Sequence, residues 1–218
     1  MTTLNHIGVV KHLMSKLRDK QTDTKTFRAY SDRIMRLLVE EAISQELGEP
    51  VKRLSPTGDY YDHYELEVKG EDYAAITIIR AGDSMTQEVM NLIPGISFGK
   101  VLIQRDESTE DKRPVFYYSK LPDNISKKHR VFVLDPMCST GGSASMCIAK
   151  LREQGVPPEK ITFLNLVSVE QGLTKVLEDH PGVRVITASI DSGVNAHKYI
   201  VPGLGDFGDR YFGSKLPL

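Results

Sequence analysis

The amino-acid sequence predicts an α/β protein whose mostly parallel sheet is flanked by helices. Three features carry that prediction. From about residue 75 onward, short runs of branched apolar residues alternate with segments of helical periodicity, the pattern of strands joined by crossover helices. The runs at 75–79, 131–134 and 161–167 are close to continuously apolar, which suits strands covered on both faces. A glycine- and hydroxyl-rich turn follows the run at 131–134, where a ligand would sit at the carboxyl end of a strand. At 218 residues, the chain is long enough for a single domain over 1–218 with a substantial core.

The elements follow in order. Residues 1–48 read as a helical region: Phe27, Tyr30, Ile34, Leu37, Leu38 and Ala42 recur at helical spacing, with Thr24 as N-cap and Gly48 as stop. After a turn around Pro56, Thr57 and Gly58, the residues Tyr64, Leu66 and Val68 alternate with charged ones, which predicts an exposed hairpin beside the main sheet. Core strands at 75–79 and 100–103 bracket a helix through Gln87, Val89, Met90 and Leu92 that stops near Pro94 and Gly95. The segment 106–122, DESTEDKRPVFYYSKLP, is too long for a simple connection; it reads as a two-stranded arm or lid, or equally as a solvated hairpin. Strands at 131–134, 161–167 and 183–187 complete the sheet, and Ala144, Cys147, Ile148 and Leu151 mark the helix that follows the first of them.

Charge and cysteine content narrow the function class. A net charge of −1 leaves no electrostatic footprint for nucleic acid or an anionic membrane, so small-molecule partners are expected. Cys138 and Cys147 are too few for a disulfide framework, no cationic segment with an apolar follow-on opens the chain, and no apolar run approaches the ~18 residues of a membrane span. A cytoplasmic protein is the expectation.

The stretch VFVLDPMCSTGGS at 131–143 is the most informative. An apolar strand stops at Asp135, and Thr140, Gly141, Gly142 and Ser143 then allow several N–H groups to converge at the start of a helix, a setting that favours an anion. It is not a Walker A loop, because no Lys follows Gly142, and an adjacent glycine pair is not the three spaced glycines of a dinucleotide fingerprint. Taken alone, the turn is equally an ordinary α/β connection. Asp135 sets it apart: a carboxylate there suits vicinal ribose hydroxyls or a hydrated Mg²⁺ while the loop takes a 5′-phosphate. Arg80 and Arg105 also follow predicted strands and suit a diphosphate, though each taken alone reads better as a solvated cation in a surface ion pair.

The DPM and TGGS elements resemble the phosphoribosyl diphosphate loop of the phosphoribosyltransferases, in the version found in uracil phosphoribosyltransferases. Four further segments match that family in order: TKTFRAYSDRIMRLLVEEA at 24–42, which has the look of eukaryotic members, IIRAG at 78–82, QRDE at 104–107 and YIVPGLGDFGDRYFGS at 199–214. The resemblance implies the type I phosphoribosyltransferase fold and transfer of a phosphoribosyl group to N1 of uracil, giving UMP for pyrimidine salvage. It implies Arg80, Arg105, Asp135 and Asp206 as catalytic residues, and a donor site of Arg80, Arg105, Asp206 and the run Asp135, Pro136, Met137, Cys138, Ser139, Thr140, Gly141, Gly142, Ser143. Ile200, Gly205, Asp206 and Phe207 are the implied uracil contacts, largely through main-chain atoms. Mg²⁺ is expected, held mainly by the diphosphate rather than by a protein cage. A homodimer or homotetramer is implied, with GTP as a possible activator; Lys25, Arg28 and Arg33 are its candidate contacts, although a solvated helix face accounts for them better.

Three departures from the family wording, and one charged pair, raise questions for the structure. Cys138 and Ser139 stand where Leu and Ala are more usual, and Cys138 is either an oxidisable thiol beside the anion loop or a quiet small residue. Asp83, after RAG, weakens diphosphate binding if it points inward. Asp209 and Arg210 read as an ordinary ion pair. A pyrimidine-sensing regulator that binds RNA on the same fold needs a basic face the composition does not suggest, and a fused uridine kinase is excluded by the missing Walker A loop and by length.

Overall fold

Strands apolar on both faces must be covered on both, and the arrangement of helices follows from that requirement. The computed structural model describes residues 1–66, 68–105 and 113–214, with Arg105 described by its backbone alone. The chain opens with β1 (Thr2–Thr3), α1 (Gly8–Arg18) and α2 (Thr24–Ser44), then forms a separate two-stranded hairpin from β2 (Val51–Leu54) and β3 (Tyr60–His63). The main run continues through β4 (Tyr73–Ile79), α3 (Thr86–Leu92), β5 (Ser97–Arg105), β6 (Pro114–Lys120), β7 (Arg130–Leu134), β8 (Met137–Cys138) and α4 (Gly142–Glu153). It ends with β9 (Ile161–Val169), α5 (Glu170–Asp179), β10 (Arg184–Asp191), the short pair β11 (Gly193–Val194) and β12 (Ile200–Val201), and α6 (Phe207–Phe212).

The eight-stranded sheet runs β1-β10-β9-β7-β4-β5-β6, with β8 added beside β9. Every pairing is parallel except β5 with β6. Alternate residues of the central strands face opposite cores. Phe132 and Leu134 join Leu17, Phe27, Ile34 and Leu38 under α1 and α2, while Val131 and Val133 join Ile148, Leu151 and Val176 under α4 and α5. Because β4, β5, β7, β9 and β10 all run the same way, their carboxyl ends share one edge. Ile79, Arg105, Leu134 and Asp191 end at that edge, so Arg80 and Asp135 emerge beside one another.

The predicted strands and their order are found, with differences at element ends. The cap of α2 is Asp23, whose carboxylate accepts the Thr26 N–H at 2.7 Å, and not Thr24; the helix stops at Ser44, ahead of Gly48. The hairpin is present, but its second strand is Tyr60–His63, because the turn at Pro56 to Gly58 is tight and pairs the residues nearest to it; Leu66 makes only an isolated bridge to Leu47. Of the expected arm, 114–120 forms β6 at the sheet edge, and 106–112 lies outside the described residues.

At the opposite, amino-terminal edge, Glu46 gathers the starts of two strands. One carboxylate oxygen accepts from Arg130 at 2.8 Å and from Arg184 at 2.8 Å, and the other meets His129 at 2.8 Å. Glu46 and Arg130 are 5% and 6% exposed, so removing one charge strands the other out of water. Glu46→Gln is therefore expected to cost about 3 kcal/mol of stability; chemical denaturation of the variant against the parent measures it, and a loss below about 1 kcal/mol would place the pair among weak surface contacts.

Candidate functional site

The carboxyl edge of the sheet opens into a cleft of about 660 Å³. Arg80, Asp135, Met137, Ser139 and Ser143 line one side, and Ile200, Gly205, Asp206 and Phe207 the other. The two halves come from segments more than fifty residues apart, and the parallel sheet brings them together.

Asp135 leaves the end of β7 almost buried, at 8% exposure. Its carboxylate accepts the Met137 N–H at 3.3 Å, which curls the chain back over the strand end. Its carbonyl accepts from the Asn165 amide at 3.0 Å; Asn165 in turn accepts the Thr187 hydroxyl at 3.0 Å, and Thr187 lies 3.1 Å from Ser168. This buried polar chain joins β7, β9 and β10 just below the cleft. No local sequence signal marks it, since its members are single polar residues inside apolar runs.

Gly141 then takes φ +75°, and a Cβ there would stand 2.3 Å from the Gly172 carbonyl oxygen, so only glycine fits the turn into α4. The amides of Gly142, Ser143 and Ala144 precede the first intrahelical bond, from Ser145 N–H to Gly141 C=O at 2.9 Å, and form the anion-favouring end of a twelve-residue helix. Thr140, Gly142 and Ser143 are partly open, whereas Pro136 and Cys138 are buried behind them. Cys138 is 2% exposed and packs into the core below α4, so it is the quiet small residue and not a solvent-facing thiol. Burial, with Asp135 nearby, pushes the Cys147 thiol far up, and it stays protonated. Ser139 donates to the Lys198 carbonyl at 2.8 Å, joining this loop to the far wall.

On that wall, β11 and β12 flank a turn in which Asn195 accepts the N–H groups of His197 and Tyr199, both at 3.0 Å. His197 and Lys198 line the cleft from just ahead of the 199–214 segment and carry no sequence signal, and Tyr199, which opens that segment, lines it too. Ile200 and Phe207 point their side chains into the core, 5% and 2% exposed, and Phe207 packs on Phe27 with centroids 5.3 Å apart. Only their main chain is left for the cleft. Asp206 caps α6, accepting the Asp209 N–H at 2.8 Å. Tyr211 anchors the helix by donating to Asp32 at 2.6 Å; burial pushes both groups up from their ordinary values.

Arg80 bridges the halves. Its guanidinium donates to Asp209 at 2.6 Å and Ser214 at 2.6 Å, and Asp206 stands 3.8 Å away. The expected Asp209–Arg210 pair is thus corrected: adjacent residues on a helix point apart, and Arg210 turns to the backbone carbonyls of Leu17, Leu204 and Asp19. Asp83 faces away from the cleft, accepting from Thr77 at 2.7 Å and pairing with Lys100 at 2.9 Å. The backbone of Arg105 closes β5 at the same edge, and its side chain lies outside the described residues. Arg28 donates to the Tyr211 carbonyl at 2.9 Å, and Arg33 lies over the Tyr30 ring.

Comparison with known proteins agrees with this geometry. The chain is 43% identical over 200 residues to the uracil phosphoribosyltransferase of Saccharomyces cerevisiae, covering 92% of this chain and 90% of the relative. It is 39% identical over 217 residues to the uracil phosphoribosyltransferase of Deinococcus radiodurans, covering 99% of each. A solved structure of an Aquifex aeolicus protein superposes with a TM-score of 0.79 at 26% identity, over 96% of this chain and 97% of that one. The mostly parallel sheet with helices on both faces is the type I phosphoribosyltransferase architecture. With a family model for uracil phosphoribosyltransferase matched across residues 4–214, the chain belongs to the uracil phosphoribosyltransferase family.

Proposed function

We propose that this protein transfers the phosphoribosyl group of 5-phosphoribosyl 1-diphosphate to N1 of uracil, forming UMP and releasing diphosphate, in cytoplasmic pyrimidine salvage. The observation that carries the reading is the meeting of an anion loop, a buried carboxylate and a main-chain wall across one cleft, with Arg80 between them. In this reading the first-turn amides of α4, the Ser143 hydroxyl that lines the cleft and the partly open Thr140 take the 5′-phosphate, and Asp135 takes the ribose diol. Breaking the C1–O bond puts positive charge on the ribose ring and negative charge on the leaving diphosphate. Arg80, with Arg105 as its partner from β5, stabilises the second; Asp206, which lines the cleft 3.8 Å from Arg80, orients the base and receives the N1 proton.

A single carboxylate at the ribose site fits Mg²⁺, which keeps several waters and takes its other ligands from substrate phosphates; among the described residues no cluster of three His, Cys, Asp or Glu side chains offers a protein cage. When bound there, Mg²⁺ supplies neutralisation of diphosphate charge. A homodimer or homotetramer and activation by GTP complete the reading, supported by the family resemblance.

The wall of Ile200, Gly205, Asp206 and Phe207 reads the acceptor by backbone N–H and C=O groups, matched to the carbonyl, N–H, carbonyl edge of uracil. Cytosine reverses two of these groups, each mismatch costing ~1 to 3 kcal/mol, whereas a small substituent on the ring carbon meets only shape.

Two outcomes are expected. Asp135→Asn lowers kcat/KM on the order of 10²-fold with an unchanged thermal midpoint; near-parental turnover would remove Asp135 from the donor site. In a competition assay, 5-fluorouracil forms its nucleotide at a rate comparable to uracil, while cytosine is disfavoured by about 10²-fold or more; equal use of cytosine would overturn backbone reading of the base.

A further inference from the structure

Arg18 and Asp191 do not line the cleft, yet both are committed to one glycine of the acceptor wall. Arg18 is the last residue of α1 and Asp191 the last of β10. Their side chains form a two-pronged pair, Nη1 to Oδ2 at 2.6 Å and Nη2 to Oδ1 at 2.5 Å, with the Asp191 side chain 2% exposed. Both groups then reach Gly203: Arg18 Nη1 donates to its C=O at 2.8 Å, and its N–H donates to Asp191 Oδ2 at 2.8 Å. Ser189 steadies the fork, accepting from Arg18 at 3.1 Å and donating to Asp191 at 3.2 Å.

Gly203 is where the wall turns. It has φ +62°, and a Cβ there would lie 2.0 Å from the Ile200 carbonyl oxygen, so the turn folds directly back on the residue expected to touch the base. Next to it, Arg210 donates to the Leu204 C=O at 2.6 Å and to the carbonyls of Leu17 and Asp19, which flank Arg18. The end of α1 therefore grips the turn through two guanidiniums. Burial alone would push the Asp191 carboxyl up, but Arg18, the Gly203 N–H and Ser189 together hold it below the usual carboxylate range.

We propose that Arg18 and Asp191 are positioning residues for base recognition: by fixing both polar groups of Gly203 they set the turn that brings the main chain of Ile200 and Gly205 to the acceptor. The inference rests on the reading of 199–214 as the acceptor wall. A wall that recognises its ligand through backbone groups has no rotamer with which to correct a displaced turn, so its accuracy depends on what holds the turn. The planar guanidinium fork supplies direction as well as charge, and a lysine ammonium at the same place supplies only charge.

The test is steady-state kinetics of Arg18→Lys and Asp191→Asn, with uracil and phosphoribosyl diphosphate varied separately, beside Glu46→Gln as a variant weakened at the far edge of the sheet. Both positioning variants are expected to raise the uracil KM about tenfold or more and to leave the donor KM within about twofold, while Glu46→Gln lowers the thermal midpoint and moves neither. A proportional rise in both KM values, or an unmoved uracil KM, overturns the proposal. Gly205→Ala tests the wall directly: a raised uracil KM there with parental values in the positioning variants defeats the clamp alone, and an unmoved one defeats the acceptor reading on which it rests.

Discussion

The direction of the parallel strands is the constraint on which the rest depends. Because β4, β7 and β10 run one way, Arg80, Asp135 and Asp191 arrive at one edge of an apolar sheet, each at or just past a strand end. Charged groups so close to a core need partners, and the partners define the cleft. Asp135 turns to the backbone of Met137, Asp191 is met by Arg18, and Arg80 by Asp209. Each of these contacts ties a strand end to a different segment: the anion loop, the first helix and the acceptor wall.

Two buried carboxylates with arginine partners stand at opposite edges and do different work. Glu46 collects Arg130 and Arg184 at the strand starts and ties the amino-terminal edge of the sheet together. Asp191 at the other edge uses its second valence on backbone: one oxygen serves both Arg18 and the Gly203 N–H. Replacing a buried pair by apolar side chains often costs little stability. A leucine pair in place of Arg18 and Asp191, however, would have no donor for the Gly203 carbonyl and no acceptor for its N–H. At that edge the ion pair supplies partners for both polar groups of Gly203, which apolar packing does not.

The sheet was legible in the sequence because burial on both faces leaves continuous apolar runs, and the run at 131–134 followed by Asp135 and a glycine pair marked both a strand and a turn. Element ends were less legible. Asp23 and Thr24 are both competent caps by residue type, and which one caps depends on where the first helical N–H falls, a one-residue difference that periodicity does not resolve. The 199–214 segment is picked out by its wording as the expected acceptor wall, but the way it is held is not legible: Arg18 lies 173 residues from Asp191 and 185 from Gly203. Neither composition nor periodicity registers a contact at that separation. Asp209 and Arg210 misled for the opposite reason, since adjacency in sequence suggested a pair that helical geometry separates.

The contact between Arg80 and Asp209 joins the two sides of the cleft. Arg80 belongs by chain position to the turn expected to take diphosphate, yet it rests on the helix that carries the acceptor wall. Its side chain is about half exposed, and an ion pair in that setting contributes little stability because water screens it. A diphosphate, with two anionic groups and bidentate geometry, competes for the same guanidinium on favourable terms. In the proposed reaction, donor binding would draw on a cation already placed within 4 Å of Asp206. In that proposed role the weakness of the resting pair is an advantage, because a half-exposed guanidinium exchanges one anionic partner for another at little cost.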